Sequence, residues 1–107
     1  MEIWHARLPM HKGSVQGGAR PVIIVSNDAC NEASGIVTVI PLTSQMKRLN
    51  LPTHILIHLG DGDSVALAEQ VMTIDQRLLD HRMGRCDRET EIEDAMKVQL
   101  GLRGGEG

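Results

Sequence analysis

Apart from histidine, the chain holds one aromatic residue, Trp4, and no Tyr or Phe. The stacking platforms on which many single-strand nucleic-acid binders lay their bases are therefore nearly absent. Cysteine is almost as scarce. Cys30 and Cys86 stand alone, without a Cys-x-x-Cys or Cys/His ligand spacing, which excludes a zinc knuckle or a dithiol redox motif and makes a reducing cytoplasm the expected setting. No apolar run approaches the roughly 18 residues of a membrane span, so no membrane association is expected, and no segment repeats. Excess positive charge is missing too: a net charge of −3 argues against a broad electrostatic grip on nucleic acid.

What is present is an aliphatic core. The 107 residues are 41% hydrophobic, mostly Ile, Val, Leu, Ala and Met, and a domain of this size removes roughly two-thirds of its unfolded surface from water. Charge is unevenly spread. Residues 1–60 carry five Lys or Arg against three Asp or Glu, while residues 61–107 carry six against eleven. A modest basic surface is expected on the N-terminal half and an acidic one on a C-terminal helix.

Strand character falls at Pro21 to Ser26, Ile36 to Leu42, Thr53 to His58 and Ser64 to Gln70, with further strands at Glu2 to Leu8 and Arg82 to Arg85. The first two are continuous β-branched runs, which suit strands covered on both faces. The period then changes. Ile92, Ala95, Met96, Val98 and Leu100 fit one face of a helix capped near Asp87 or Thr90 and stopped at Gly101, with Glu89, Glu91 and Glu93 at its dipole-favoured start. Many strands and one closing helix predict a mainly β protein, a small, strongly bent antiparallel sheet or barrel. One domain is expected over 1–102, with a flexible glycine-rich tail over 103–107.

Two short segments carry chemistry. In QGGARP, residues 16–21, Gly17 and Gly18 permit a close backbone approach and Pro21 fixes the chain just past Arg20. An arginine held there offers a permanently charged fork that matches a phosphate. A hairpin turn with a surface arginine is the plainer reading. In PLTSQ, residues 41–45, Thr43, Ser44 and Gln45 follow an apolar strand as short polar groups suited to a phosphate or a base edge, or to local backbone. His54 and His58 share a strand face, but four residues of rise part them by about 13 Å, too far for one ion. No metal site is expected. Asp75 reads as the cap of a short helical stretch from Gln76.

These segments resemble the MazF/PemK family of toxin endoribonucleases. The matching pieces run in order as EIW (2–4), QGGARPVIIVSND (16–28), PLTSQ (41–45), LPTHI (51–55), DSVALAEQ (63–70) and TID (73–75). The resemblance implies a compact SH3-like (CcdB/PemK-type) barrel with a C-terminal helix. It implies a cytoplasmic homodimer that cuts single-stranded RNA, often messenger RNA, at short sequences without a cofactor or metal. It also implies a cognate antitoxin that lays an acidic, flexible segment over the same groove. Carried over by motif, Arg20 and Thr43 become the catalytic residues, and Ser14, Gln16, Gly17, Gly18, Ser44, Gln45, Glu69 and Gln70 the RNA-binding ones. Attack by the ribose 2′-hydroxyl needs a base to take its proton, and His11 and Glu69 are the candidates by residue type. The pattern is not met everywhere: Val15 stands where an acid is usual, Met72 where an arginine is common, and Cys30 where an aromatic is common.

Two other functions fit the same architecture. One is a binding module that has lost cleavage, for which Val15 and Met72 speak. The other is a gyrase-poisoning toxin of the CcdB type, against which the GLRGGEG ending speaks, because that group acts through a C-terminal end bearing a tryptophan.

Overall fold

A computed structural model describes residues 1–10, 12–46, 48–60 and 62–103. His11 and residues 104–107 of the expected glycine-rich tail lie outside the described residues. The described chain forms seven strands and two α-helices: β1 Glu2–Leu8, β2 Gly18–Ile24, α1 Asp28–Ser34, β3 Ile36–Thr43, β4 His54–Leu59, β5 Gly62–Leu67, β6 Met72–Asp75, β7 Leu79–Arg85 and α2 Glu89–Leu100. The fold is mainly β, an antiparallel sheet curled into a half-barrel with a helix at its C-terminal end, as expected.

The sheet runs in the order β4-β5-β3-β2-β1-β7, with β6 also paired to β3. The curl comes from β3. One of its edges pairs with β2 through Val39, Ile40 and Pro41. Its other edge is shared, Leu42 and Thr43 pairing with β5 and Ile36 to Val39 with β6. Between those partners the chain makes a 3-10 turn, Ala68–Gln70, so the strand expected to run to Gln70 stops at Leu67.

The β-branched runs of β2 and β3 supply both faces of the sheet. Ile23, Ile40 and Leu42 join Ile3, Ile57, Ile92 and Ala95 in a cluster beneath α2, whereas Val22, Val37 and Val39 join Ala6, Leu8 and Ile74 on the opposite face. Successive residues of a strand point to opposite faces, so a sheet with a core on each side needs an unbroken apolar run. β1 has two register shifts against β7, between Ile3 and Trp4 and between His5 and Ala6, which sharpen the twist at that edge.

Three features depart from the sequence reading. Helix α1 lacks an apolar period because none of its residues is buried; it is set instead by its ends, Asn27 accepting from the Ala29 and Cys30 amides and Gly35 closing it at φ 72°. Helix α2 is capped by Arg88, without a side-chain hydrogen bond, rather than by Asp87 or Thr90, and it stops at Gly101 as expected. Residues 72–75 form a strand, where none was expected. Asp75 does cap the following 3-10 turn, Gln76–Leu78, accepting from the Arg77 amide. No described helix is long and apolar enough to cross a membrane.

Candidate functional site

The two segments singled out from the sequence meet in one cleft. It has a volume of about 500 Å3 and is lined by Gln16, Arg20, Thr43, Ser44 and Gln45 together with Asp63, Ser64 and an apolar floor that includes Pro21 and Leu42. The sheet register explains the meeting. Val22 faces Pro41 across β2 and β3. Arg20 and Thr43 lie two residues beyond that pair on their strands, so both come to the same end of the ladder.

Arg20 is half-buried and held from two sides. Its Nε donates to the Gly17 carbonyl at 3.0 Å and one terminal nitrogen donates to the Leu42 carbonyl at 3.1 Å. A guanidinium has five N–H donors, so three remain without a partner among the described residues and are available to an anionic ligand. The loop that supplies the Gly17 carbonyl turns through Gly18 at φ 76°, a conformation that strains any residue with a β-carbon. The same loop is clamped from across the molecule. The Gln16 amide donates to the Gln70 side-chain oxygen at 2.7 Å, and the Gln70 amide nitrogen donates to the Ser14 carbonyl at 3.0 Å.

Thr43 is buried, 6% exposed, and its Oγ1 accepts from the Gln45 amide at 3.3 Å. That contact fixes the hydroxyl at the strand end while Ser44 and Gln45 stay exposed. Of the expected RNA-binding residues, then, Gln16, Ser44 and Gln45 line the cleft with Arg20 and Thr43. Gly17, Ser14 and Gln70 build the loop and its clamp. Glu69 faces elsewhere: its Oε1 lies 2.7 Å from Nε2 of buried His54, and it is not part of the cleft lining.

Asp63 and Ser64 are the polar cleft residues that sequence reasoning did not place in the site, although both fall in the DSVALAEQ segment. Asp63 lies 2.8 Å from His58 Nδ1, and the Nε2 of that ring is 3.4 Å from an Arg88 nitrogen at the start of α2. His54 and His58 thus each have a carboxylate of their own, and among the described residues no group of three or more His, Cys, Asp or Glu is arranged to hold a metal ion. Met72 packs half-buried against the Ala6 and Val22 cluster and does not line the cleft, while Val15 is exposed. A second cleft of about 420 Å3 opens beside α1 between Trp4, Asn27, Asn31 and Arg85, and it contains none of the expected site residues.

A small curled antiparallel sheet with a C-terminal helix is the architecture of a toxin class. The chain belongs to the PemK-like, MazF-like toxins of type II toxin-antitoxin systems, whose family model matches residues 1–100 and whose members are endoribonucleases. Solved structures share the fold. MazF from Deinococcus radiodurans matches with a TM-score of 0.81 at 24% identity, over 94% of each chain. The Mycobacterium tuberculosis toxin MazF-mt6 matches with a TM-score of 0.77 at 22% identity, over 95% of this chain and 98% of that one. A mycobacterial endoribonuclease in complex with its cognate antitoxin matches with a TM-score of 0.75 at 23% identity, over 94% of this chain and 92% of that one.

Proposed function

We propose that this protein is a sequence-specific endoribonuclease that cleaves single-stranded RNA without a metal ion, the toxin of a toxin-antitoxin pair. The observation that carries the reading is the double anchoring of Arg20 over a cleft that Thr43 also lines. An arginine tied to two backbone carbonyls has little freedom left to lose when a phosphate arrives. Its remaining donors belong to a guanidinium fixed beside the cleft, and a fixed donor is what stabilises charge that develops only in a transition state.

In the proposed reaction the ribose 2′-oxygen attacks the adjacent phosphorus as its proton passes to a base. The bond to the 5′-oxygen breaks, and that oxygen gains a proton as it leaves. The products are a 2′,3′-cyclic phosphate and a 5′-hydroxyl. Arg20 offsets the charge that builds on the non-bridging oxygens, and Thr43 holds the phosphate from the neighbouring strand. Of the two residues weighed as the base, His11 lies outside the described residues and Glu69 is engaged by His54. DNA, lacking the 2′-hydroxyl, resists.

The protein acts in the cytoplasm as a homodimer, its domain spanning 1–102, and an antitoxin with an acidic flexible segment occupies the cleft and competes for Arg20. The test is digestion of a long single-stranded RNA and of its DNA counterpart in EDTA, with product ends mapped. Cuts in RNA alone, at a repeated short sequence and bearing 5′-hydroxyl ends, support the proposal. Intact RNA, or cuts that need a divalent ion, refute it.

A further inference from the structure

Asp63 is the one carboxylate that lines the cleft among the described residues. Its presence there runs against simple electrostatics, because a carboxylate beside a phosphate groove repels the ligand unless it accepts a hydrogen bond from it. The side chain is also held in place. Arg88 has only donors, so a neutral His58 meets it with Nε2 as the acceptor at 3.4 Å and carries its proton on Nδ1, the nitrogen 2.8 Å from Asp63 Oδ1. Arg88 thus fixes the tautomer of His58, and His58 fixes one oxygen of Asp63. The other oxygen has no hydrogen-bond partner among the described residues, and the side chain, half exposed, lines the cleft.

Register says where Asp63 sits. Thr43 faces Val65 across β3 and β5, and Asp63 is two residues before Val65. It is therefore the diagonal neighbour of Thr43 on the same side of the pair, with backbones about 7–8 Å apart. That offset is comparable with one step along an extended nucleic-acid strand. A group so placed reaches the nucleotide beside the phosphate held by Arg20 and Thr43, not that phosphate itself.

We infer that Asp63 reads a base: its free oxygen accepts a hydrogen bond from the exocyclic amino group of the nucleobase next to the scissile phosphate, with His58 and Arg88 as positioning residues. The inference rests on the ribonuclease reading for its ligand. Cytosine, adenine and guanine carry such an amino group. Uracil offers only an N–H flanked by two carbonyl oxygens, which repel a carboxylate. Discrimination by a well-made contact of this kind is roughly 5- to 150-fold.

The change Asp63→Asn gives the inference a sign. Because the His58 Nδ1 proton keeps the Asn oxygen facing the ring, the Asn amide group points into the cleft, and the acceptor becomes a donor. Two random-sequence pools are used with each protein: single-stranded RNA, sequenced at its cut ends, and a 2′-deoxy pool that cannot be cut, sequenced after capture. In wild type one position beside the cut excludes uracil. In Asp63→Asn that position alone moves toward uracil and guanine, which carry a carbonyl oxygen (O4, O6) where cytosine and adenine carry an amino group, while the other positions keep their preferences. His58→Ala blurs the same position, and His58→Asn, which restores a donor near Nδ1, recovers it; a purely structural role for His58 predicts a uniform loss at all positions instead.

Cleavage with an unchanged preference in Asp63→Asn overturns the inference and leaves the ribonuclease intact. Base-selective capture that depends on Asp63, with no cleavage of RNA, overturns the ribonuclease and leaves the reader intact. Neither cleavage nor selective capture by folded wild type overturns both.

Discussion

The clamp between Gln70 and the glycine loop is open to a direct test. Replacing Gln70 with Ala deletes two hydrogen bonds at once, the 2.7 Å bond from the Gln16 amide and the 3.0 Å bond to the Ser14 carbonyl. The first is part-buried and the second exposed. With about 0.5–1.5 kcal/mol net for each and the exposed one at the low end, the loop loses about 1–2 kcal/mol of closure. A difference of that size changes an opening equilibrium by a factor of about 5–30. Amide hydrogen exchange followed by NMR reads it residue by residue. The Gln16 amide is expected to exchange about 5–30 times faster in Gln70→Ala, while amides of the β2–β3 ladder, such as Ile23, keep their wild-type rates. Gln70→Glu, which retains the acceptor for Gln16 but not the donor for Ser14, falls between. Cleavage drops by no more than the same factor, because Gly17 in that loop holds the Arg20 Nε. A Gln16 exchange rate within twofold of wild type refutes the clamp.

Two further predictions concern titrating groups. The Asp75 carboxylate accepts from the Arg77 side chain and from the Arg77 amide, and these bonds bring its pKa from an ordinary 3.8 down to about 2. A carboxylate with a depressed folded pKa contributes stability that is present above its unfolded pKa and lost as pH falls through the folded one. The contribution of Asp75 is thus complete above about pH 4 and lost toward pH 2, and NMR titration is expected to find its midpoint near 2 and to find it raised in Arg77→Ala; a midpoint near 3.8 in wild type contradicts this. Burial pushes the Cys86 thiol up, as do the charges of Asp87 and Glu89, while Cys30 is exposed on α1. A thiol reagent at mildly alkaline pH is expected to label Cys30 rapidly and Cys86 only on unfolding; equal rates contradict it.

How much of this was legible depended on whether a residue's role is local or made by pairing. β1 was read with both its ends, because the apolar positions along Glu2–Leu8 and the breaker Pro9 mark them. The two-faced strands were legible in the unbroken runs of β2 and β3. Helix α1 was not, since with no buried residue it has no period to find, and its only marks are Asn27 and Gly35 at the ends. β6 is four residues long, too short to establish an alternation before the 3-10 turn at Gln76.

The site divides in the same way. Arg20 and Thr43 stand in motifs whose neighbours, Pro21 and Pro41, hold them at strand ends, so their segments could be singled out from sequence. The separate fates of Glu69 and Gln70 come from the 3-10 turn after Leu67, which sends one side chain to His54 and the other to the loop of Ser14 and Gln16. Asp63 owes its place in the cleft to the pairing of Thr43 with Val65, a long-range contact that no local pattern encodes.

The measurement that bears most directly on the central claim is cleavage of single-stranded RNA in EDTA by wild type, Arg20→Ala and Arg20→Lys, with folding of each checked by circular dichroism. A lysine keeps the charge but, with one nitrogen, cannot hold the Gly17 and Leu42 carbonyls and a phosphate together in the geometry of the fork. The account predicts site-specific cutting by wild type and a loss of about 10²- to 10³-fold in both variants. Folded Arg20→Ala that cuts the same sequences at the wild-type rate contradicts it.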